Sequence, residues 1–358
     1  MEALCQVSLK AITHNYKYFV KRANPARVIP VVKANAYGHG AVRVTQHLRD
    51  HAGVQTFAVA TLGEARELAA HFPKITILIF SRVFAAELPL VPDNAILTIS
   101  SMEDARALIE SDATQVRVHL NVNTGMNRLG VTVEEAIELI STKDTKLKVL
   151  GIYSHFSSSD TESKQVYSDQ NKQFNTLVER LRGDGFSGMI HLANSAAGLQ
   201  DEQMPYDAMR LGISLYGYDT TARKLHQAYL QPAMTVKAPL VRVARIKASE
   251  SVSYGEKWQA EVDTNIGTLR VGYADGYNRA LTNRGIVAFA GKSYPVVGTV
   301  TMDHIMIDLG EDEPETGVMF EVMGGGSAEV SINAISDTLN TIPYEICCAV
   351  SPRVIRQY

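Results

Sequence analysis

Residues 31–40, Val-Val-Lys-Ala-Asn-Ala-Tyr-Gly-His-Gly, carry the strongest structural signal in the chain. The apolar, mostly β-branched run from Val28 to Val32 predicts a buried parallel strand, and Gly38 and Gly40 predict a turn into a helix. Lys33 therefore falls at the carboxyl end of a strand, where strand–helix barrels build their active sites. A lysine removed from water there has its ammonium form disfavoured, so its neutral amine becomes available as a nucleophile. The stretch predicts Schiff-base chemistry at Lys33.

This decapeptide closely resembles the signature of alanine racemases, in which the lysine carries pyridoxal 5′-phosphate as a Schiff base. The resemblance implies that Lys33 anchors this cofactor and that the protein is an isomerase interconverting L-alanine and D-alanine. It also implies a role in D-alanine supply for the peptidoglycan of the cell wall, or in D-alanine catabolism. Further family-like blocks follow in order as far as Tyr344. Without them, a lysine at a strand end would be interpreted as a side chain that extends its charged head into water.

Composition limits the class of protein. The chain has 358 residues, 46% hydrophobic and 20% charged, with a formal net charge of −3. This length accommodates one barrel of roughly 250 residues and a smaller domain. The charge gives no reason to expect a nucleic-acid partner, and no segment approaches the ~20 apolar residues of a membrane span. The three cysteines, Cys5, Cys347 and Cys348, are odd in number and two are adjacent, so they indicate no disulfide framework. The first residues do not resemble an export signal, and we therefore expect a cytoplasmic protein.

Strand and helix signals alternate through the first 230 residues. Ser8 fits the N-cap of a first helix, because apolar residues follow it at helical spacing. Amphipathic helices are predicted over residues 133–140 and 166–181. Eight such units predict a closed (β/α)8 TIM barrel that binds the cofactor, over residues 1–230. The predicted strands are residues 28–33, 56–60, 75–80, 95–99, 116–122, 149–155, 189–193 and 208–211.

The pattern changes after residue 230. Apolar residues then alternate with a period of two, as at Val241 and Val243 and again between Val296 and Ile307, and no long helical pattern intervenes. Such alternation is typical of half-buried strands. We predict a β-rich C-terminal domain over residues 231–358, which gives the chain an α/β fold class overall.

A pyridoxal phosphate enzyme must hold a dianionic phosphate. Barrels commonly seat phosphate at the loops after the seventh and eighth strands, which here are residues 191–196 and 210–217. On their own, Asn194 and Ser195 fit a helix N-cap and Gly212 fits an ordinary turn. The resemblance instead implies phosphate contacts from the Ser195 hydroxyl and from the backbone after it. The cofactor-binding residues that it implies are Lys33, Tyr37, Asn194, Ser195, Arg210, Gly212, Ile213 and Tyr344.

The charge of Arg210 bears on the type of reaction. The match of residues 210–217 to the family implies that Arg210 faces the pyridine nitrogen of the cofactor. A permanently protonated arginine opposes protonation of that nitrogen, whereas a carboxylate would favour it. An unprotonated ring is a weaker electron sink, which suits brief deprotonation and reprotonation and limits transamination. Without the match, Arg210 would be interpreted as a surface salt-bridge residue.

Racemisation needs a proton-handling group on each face of the reacting centre, because a single fixed base returns the proton to the side from which it came. Lys33 can serve one face. For the other face, residues 251–258 resemble the motif around the racemases' catalytic tyrosine, here Tyr254. A phenol titrates near pH 10 when unperturbed, so it needs cationic neighbours to act as a base at neutral pH. The family places a histidine beside it, at the position of His155, with Arg210 completing a chain to the ring; an arbitrary tyrosine would more often be a core residue.

Tyr254 lies in the predicted β-rich domain, far along the chain from Lys33. In alanine racemases this tyrosine and the methionine corresponding to Met302 reach the pocket from the partner subunit, so the resemblance implies a head-to-tail homodimer with two shared active sites. Arg128 matches the arginine near the substrate carboxylate and the phenolic oxygen of the cofactor. No metal is expected. The residues that resemble a substrate-access corridor are Tyr273, Asp275 and Arg279, in a segment whose spacing alone would indicate a turn.

One position departs from the family pattern. Many members have a lysine seven residues before the equivalent of Arg128, carbamylated so that its negative charge positions the arginine. Asn121 stands there in this chain and carries no amine to carbamylate. We hypothesise that a bound chloride, or a direct amide hydrogen bond, holds Arg128 in its place.

Three other functions stay open on the sequence. A racemase for serine or for several amino acids would share the fold, although the bulky phenol of Tyr344 favours a small substrate. A decarboxylase of the same barrel class would need an acidic partner at the ring nitrogen, where this chain has Arg210, and a cysteine-bearing motif whose context Cys347 and Cys348 lack. A non-catalytic pyridoxal phosphate carrier would resemble the barrel alone and would not need the Tyr254 motif.

Overall fold

The computed structural model describes residues 1–142, 146–200, 206–324 and 326–358. The chain divides into two compact units. The barrel unit comprises Ile12–Ala36 and Ala41–Leu230, and the strand unit comprises Met1–Ala11, Tyr37–Gly40 and Gln231–Tyr358. The division proposed from the sequence assigned the whole of residues 1–230 to the barrel. None of the helices in the described ranges has the length and apolar character needed to cross a bilayer.

Eight parallel strands form the barrel unit, as the sequence predicted. Each strand pairs with the next one along the chain, the first pairs with the last, and a parallel bridge between Val31 and Ala58 joins the first to the second and closes the ring. Most of their buried side chains are apolar, which is typical of strands covered on both faces. The strands are β2 Arg27–Pro30, β3 Thr56–Val59, β4 Thr76–Ile79, β5 Ala95–Ile99, β6 Val116–Asn121, β7 Leu147–Tyr153, β8 Met189–His191 and β9 Ala208–Leu211.

Helices connect these strands, and several of them begin at residues whose side chains cap the helix. The Ser8 hydroxyl accepts a hydrogen bond from the Ala11 N–H and so caps α1. Thr61 with Glu64, and Thr132 with Glu135, form capping boxes at the starts of α4 and α6. The helices are α1 Leu9–Ala23, α3 Ala41–Ala52, α4 Leu62–His71, α5 Met102–Glu110, α6 Val133–Ser141, α7 Gln165–Gly183 and α8 Ser195–Gln200, and the short element α2 Lys33–Tyr37 is a left-handed turn.

The strand unit is built around the long strand β10, Met234–Ile246. The first half of β10 pairs with β1, Leu4–Val7, and with β15, Met319–Met323, whereas its second half pairs with β11, Thr264–Leu269. Leu240, at the change of partner, is fully buried. The other elements of this unit are β12 Ile286–Phe289, β13 Lys292–Pro295, β14 Ile305–Gly310, β16 Ile355–Gln357, α9 Ile332–Leu339 and α10 Pro343–Ala349.

Short 3-10 helices form parts of several loops. They are Ala85–Leu90, Ile213–Tyr216, Gln227–Tyr229, Tyr254–Glu256, Tyr273–Asp275, Arg279–Leu281 and Ala328–Val330. Since the barrel strands are parallel, the segments that follow β2, β6, β7, β8 and β9 emerge at one end of the barrel. Lys33 and most of the predicted site residues of the barrel unit lie in or beside these segments.

Candidate active site

Lys33 opens an unusual left-handed turn. The strand predicted over residues 28–33 is shorter than expected, because β2 ends at Pro30 and only Val31 adds a further bridge. The four residues after Lys33, from Ala34 to Tyr37, have φ values of 50, 53, 55 and 52°. Left-handed conformations cost L-residues roughly 1–2 kcal/mol each, so this turn persists only because its surroundings hold it.

Hydrogen bonds fix the turn that carries Lys33. The Ala34 N–H donates to Glu64 Oε1 at 2.6 Å, and the Ala36 N–H donates to the Val32 carbonyl at 2.8 Å. Asn35 Oδ1 accepts the Ala41 N–H at 2.8 Å, where α3 begins. Both ends of the turn are therefore tied to regular elements of the barrel, and the lysine projects from a rigid backbone.

Arg210 is buried on β9, whose residues pair with β2. Its Nη1 donates to His191 Nδ1 at 2.8 Å, and its Nη2 donates to His155 Nδ1 at 3.1 Å. The carbonyl oxygens of Ser154, His191 and Leu192 also accept from these two nitrogens, and the two hydrogens of Nη2 are shared among its three acceptors. Burial lowers the pKa of Arg210 to about 10, so the guanidinium stays protonated at neutral pH. Within the described residues, none of its hydrogen-bond acceptors is a carboxylate.

The donors of Arg210 dictate the protonation of the histidines around it. Because an arginine only donates, the Nδ1 atoms of His191 and His155 must accept, and the hydrogen of each neutral ring lies on Nε2. His191 Nε2 then donates to His119 Nδ1 at 2.9 Å. Burial lowers the pKa of His119 to about 4 and also lowers that of His191, so this pair is neutral. The hydrogen of His155 is on Nε2, so this nitrogen can donate a hydrogen bond to a ligand or to another side chain.

Three cationic side chains lie around His155. Burial, together with the positive charges of Arg210, Arg128 and Lys33, lowers the pKa of His155 to about 3. The imidazole is therefore neutral at physiological pH. A site that keeps three cations near one neutral histidine favours anionic ligands such as a phosphate ester and a carboxylate.

Arg128 and Asn121 line the same small pocket. Its volume is about 220 Å³ including the part open to solvent, and Asn123, Ser154 and His155 complete much of its wall. No hydrogen bond joins Asn121 to Arg128 in this structure, so the direct amide bond considered from the sequence is not formed.

The loops after β8 and β9 meet through Ser195. Its hydroxyl oxygen accepts the Gly212 N–H at 2.9 Å, which leaves the hydroxyl hydrogen able to donate to a ligand. Ile213 begins the 3-10 turn that follows. Asn194 Oδ1 instead accepts the Ala197 N–H at 3.0 Å, so this oxygen acts as the cap of α8, as its residue type alone indicated.

Other site residues predicted from the sequence lie in the strand unit. The rings of Tyr37 and Tyr344 have their centroids 5.8 Å apart. Gly38 makes this approach possible, because a Cβ there would lie 2.3 Å from the carbonyl oxygen of Cys347. The segment is further held by a hydrogen bond from Arg356 Nε to the Gly38 carbonyl at 3.2 Å. Tyr37 and Tyr344, which the resemblance implies as cofactor-binding residues, are thus neighbours.

Tyr254, Tyr273 and Met302 are exposed on the strand unit, at 74%, 42% and 52% of their surface. The segments of the last two are joined, since the Tyr273 N–H donates to the Thr301 carbonyl at 3.0 Å.

Asp275 is the buried residue of the turn that carries Tyr273. It pairs with Arg353 Nε at 3.2 Å and accepts the Gly272 N–H at 2.9 Å. Arg279 begins the next 3-10 turn. Asp275 therefore stabilises the turn that presents Tyr273.

Sequence reasoning missed several residues that build the site. His119 lies in the buried middle of β6, and the Tyr153 ring stacks on His191 with centroids 4.9 Å apart. A histidine between apolar neighbours in a strand is a polar group that needs a partner, and this was the available signal. Glu64 gave no signal beyond that of a helix cap, because its bond to the Ala34 N–H depends on tertiary structure.

These features define a class of protein. A (β/α)8 barrel carries a lysine after one strand, a hydroxyl that can donate to a phosphate at a turn between two others, and a buried arginine that has no acidic partner among the described residues. Such an arrangement is that of the barrel class of pyridoxal phosphate-dependent enzymes.

The comparisons with known proteins give the family. Residues 7–220 match the model described as "Alanine racemase, N-terminal domain", and residues 233–358 match "Alanine racemase, C-terminal domain". The chain belongs to the alanine racemase family. This result confirms the resemblance on which the sequence prediction rested.

Relatives and solved structures align along the whole chain. It is 36% identical to Alanine racemase 2 of Bacillus subtilis, over 100% of this chain and 94% of that protein. It is 37% identical to the alanine racemase of Desulforamulus reducens, over 99% and 98%. The crystal structure of alanine racemase from E. faecalis matches with a TM-score of 0.91 and 34% identity, over 99% and 98%. That of Bartonella henselae alanine racemase with covalently bound pyridoxal phosphate matches with a TM-score of 0.90 and 28% identity, over 100% and 99%.

Proposed function

We propose that this protein is a pyridoxal phosphate-dependent alanine racemase, an isomerase that interconverts L-alanine and D-alanine. The observation that carries the proposal is the placement of Lys33 after β2 together with Arg210, whose hydrogen bonds reach no carboxylate among the described residues. Full-length similarity to proteins named alanine racemase supports it. In the cytoplasm, such an activity supplies D-alanine for peptidoglycan or returns it to metabolism.

The barrel unit fits the cofactor. The Lys33 amine would hold it covalently, the Ser195 hydroxyl and the turn at Gly212 and Ile213 would bind its phosphate, and Arg210 would face its ring nitrogen. Arg210 remains cationic and bonds to no carboxylate in the described part of the chain, so it disfavours a positive charge on that nitrogen. When bound, pyridoxal phosphate supplies an electron sink for the charge left at the substrate Cα. The cofactor contacts that the resemblance implies for Tyr37 and Tyr344 remain predictions.

Two of this chain's residues would move the proton. Lys33 would serve one face of the substrate Cα and Tyr254 the other. The His155 tautomer supports the second assignment, because its Nε2–H can donate to a phenol oxygen and so stabilise the oxygen in its charged form. Arg128, whose charge contributes to the electropositive surroundings of His155, would bind the substrate carboxylate.

We further propose that the active enzyme is a homodimer in which each site takes Tyr254 and Met302 from the other subunit. The exposure of these side chains, 74% and 52%, supports this arrangement, since large apolar groups on a surface commonly mark a contact site. The exposed Tyr273 lies on a segment bonded to that of Met302 and would border the same contact. The corridor role implied for Tyr273, Asp275 and Arg279 depends on this assembly and remains a prediction.

A racemase for serine or several amino acids is the second candidate, because it would use the same site. The ring of Tyr344 beside that of Tyr37 favours a small substrate side chain. A decarboxylase is disfavoured by the surroundings of Arg210, and a carrier protein is disfavoured by the C-terminal family match. Initial rates over a panel of L-amino acids, with carbon dioxide release measured in parallel, separate these functions. We expect alanine to be turned over fastest and no carbon dioxide to form.

One experiment tests the proposed function directly. Purified protein supplied with pyridoxal phosphate is assayed for D-alanine formation from L-alanine, and a sample is reduced with borohydride before peptide mass analysis. We expect racemisation and a cofactor-sized mass increase on the peptide containing Lys33. A protein that binds the cofactor elsewhere, or that leaves L-alanine unchanged, would refute the proposal.

Chloride dependence tests the hypothesis about Asn121. If a halide holds Arg128 in the pocket that both residues line, removing chloride should raise the KM for alanine several-fold while kcat changes less. The measurement is a titration of chloride against isethionate, a bulky sulfonate that is not a carboxylate, at constant ionic strength. A KM that does not change with chloride concentration would show that no halide holds Arg128.

A further inference from the structure

The backbone around Tyr254 has a conformation that most residues avoid. Ser253 has φ 70° and ψ −171°, a region used almost exclusively by glycine. Gly255 and Glu256 follow with φ values of 75 and 50°. Side-chain-bearing residues keep such a shape only where surrounding contacts over-determine it. The contacts that hold this turn therefore also set the direction in which the Tyr254 side chain leaves the backbone.

Two hydroxyl groups hold the turn from opposite segments. Ser253 Oγ donates to the Thr299 carbonyl oxygen at 2.7 Å, and Thr299 Oγ1 donates to the Tyr254 carbonyl oxygen at 2.7 Å. We name this reciprocal pair the Ser253–Thr299 latch. Thr299 is 2% exposed whereas Tyr254 is 74% exposed, so the latch holds the turn from its buried side and leaves the phenol outside.

Neighbouring contacts keep the two segments in place. Gly298 has φ 74°, and a Cβ there would lie 2.4 Å from the Val252 carbonyl oxygen, so the backbones touch. Asn283 Oδ1 accepts the Gly298 N–H at 2.6 Å, and Asn283 Nδ2 donates to the Lys257 carbonyl at 2.9 Å. These bonds would keep the segments together when either latch hydroxyl is removed. The latch can therefore be tested without separating the two segments that it joins.

We propose that Ser253 and Thr299 are positioning residues for proton transfer by Tyr254. The inference rests on the proposed function, because it assumes that the Tyr254 phenol is one of the two bases. Proton transfer requires the phenol oxygen within hydrogen-bond reach of its target, and a misplacement of about 1 Å costs roughly 10²-fold in rate. Freeing the Tyr254 carbonyl from Thr299 allows its peptide group to rotate, which moves the distant phenol oxygen.

Thr299→Val tests the latch, because valine keeps the shape of the side chain and removes the hydroxyl. Thr299→Ser is the matched control, since it keeps the hydroxyl. The dimeric holoenzyme is incubated with each alanine enantiomer in deuterium oxide, and α-hydrogen exchange is followed by NMR. We expect Thr299→Val to slow exchange of the enantiomer served by Tyr254 by at least about tenfold. Exchange of the enantiomer served by Lys33 should stay within about twofold of wild type, and Thr299→Ser should behave as wild type.

Hydrogen exchange of the protein gives a readout independent of turnover. Peptides covering residues 252–258 should take up deuterium faster in Thr299→Val than in Thr299→Ser. Ser253→Gly provides a second variant, because glycine accepts φ 70° without strain and folding is preserved; it should slow the same enantiomer selectively. If both enantiomers exchange their α-hydrogen equally slowly, or if neither variant changes an exchange rate, Ser253 and Thr299 do not position Tyr254. If Tyr254→Phe itself shows no enantiomer selectivity, the two-base proposal fails instead, and the two failures are thereby distinguished.

Discussion

Lys33→Ala should abolish alanine racemisation, lowering kcat by at least about 10⁴-fold. The substitution removes the covalent anchor of the cofactor and one of the two proton-transfer groups together. A loss of this size corresponds to about 5 kcal/mol of transition-state stabilisation. The measurement is D-alanine formation from L-alanine with pyridoxal phosphate in excess, so that weakened cofactor binding alone is compensated.

Lys33→Arg is the matched variant for this prediction. It retains the positive charge that acts on His155 but has no primary amine, so we expect it to be as inactive as Lys33→Ala. Both proteins should fold normally, because the Ala34 N–H and the Ala36 N–H hold the turn through their bonds to Glu64 and Val32. Activity within tenfold of wild type in either variant would show that another residue anchors the cofactor.

Tyr254→Phe should lower racemisation by about 10²–10⁴-fold, the range of a lost general acid–base group. The phenyl ring keeps the shape of the side chain, and its backbone bond to Thr299 is unaffected, so the loss isolates the hydroxyl. In deuterium oxide, exchange should fail for one enantiomer and continue for the other, because Lys33 still serves its own face. Cofactor binding should be unchanged.

Tyr229→Phe is the control for this second prediction. Tyr229 is 61% exposed on the barrel unit and takes no part in the proposed site, so its hydroxyl should be dispensable. If Tyr254→Phe retains full activity, or slows exchange of both enantiomers equally, the assignment of the phenol as the second base is wrong.

The sequence predicted the barrel well because its signals are local. Each strand is a short apolar run, and helices such as α6 and α7 lie within two residues of their predicted bounds. The pairing of Leu4–Val7 with β10 was not predicted, since it joins segments more than two hundred residues apart that share no local pattern. The left-handed turn after Lys33 was not predicted either, because alanine has no preference for φ near 50° and the turn depends on Glu64.

The site residues show the same distinction. The motif around Arg210 predicted a functional arginine, but the tautomers of His155 and His191 follow only from which nitrogens accept its hydrogen bonds. Asn194 illustrates the opposite case, because its residue type alone indicated the cap that the structure shows. The role of a residue could be predicted where it depends on neighbours in the sequence, whereas roles that depend on contacts between distant strands could be determined only from the structure.

Heterodimers tested for complementation provide the most direct measurement of the central claim, that Lys33 and Tyr254 of different subunits serve one substrate. Lys33→Ala and Tyr254→Phe chains with different affinity tags are coexpressed, and the mixed dimer is purified through both tags. Sites shared between subunits give each mixed dimer one site with both residues intact and one site with neither, so we predict about half of wild-type activity. Activity no higher than that of the two parent homodimers would contradict the account.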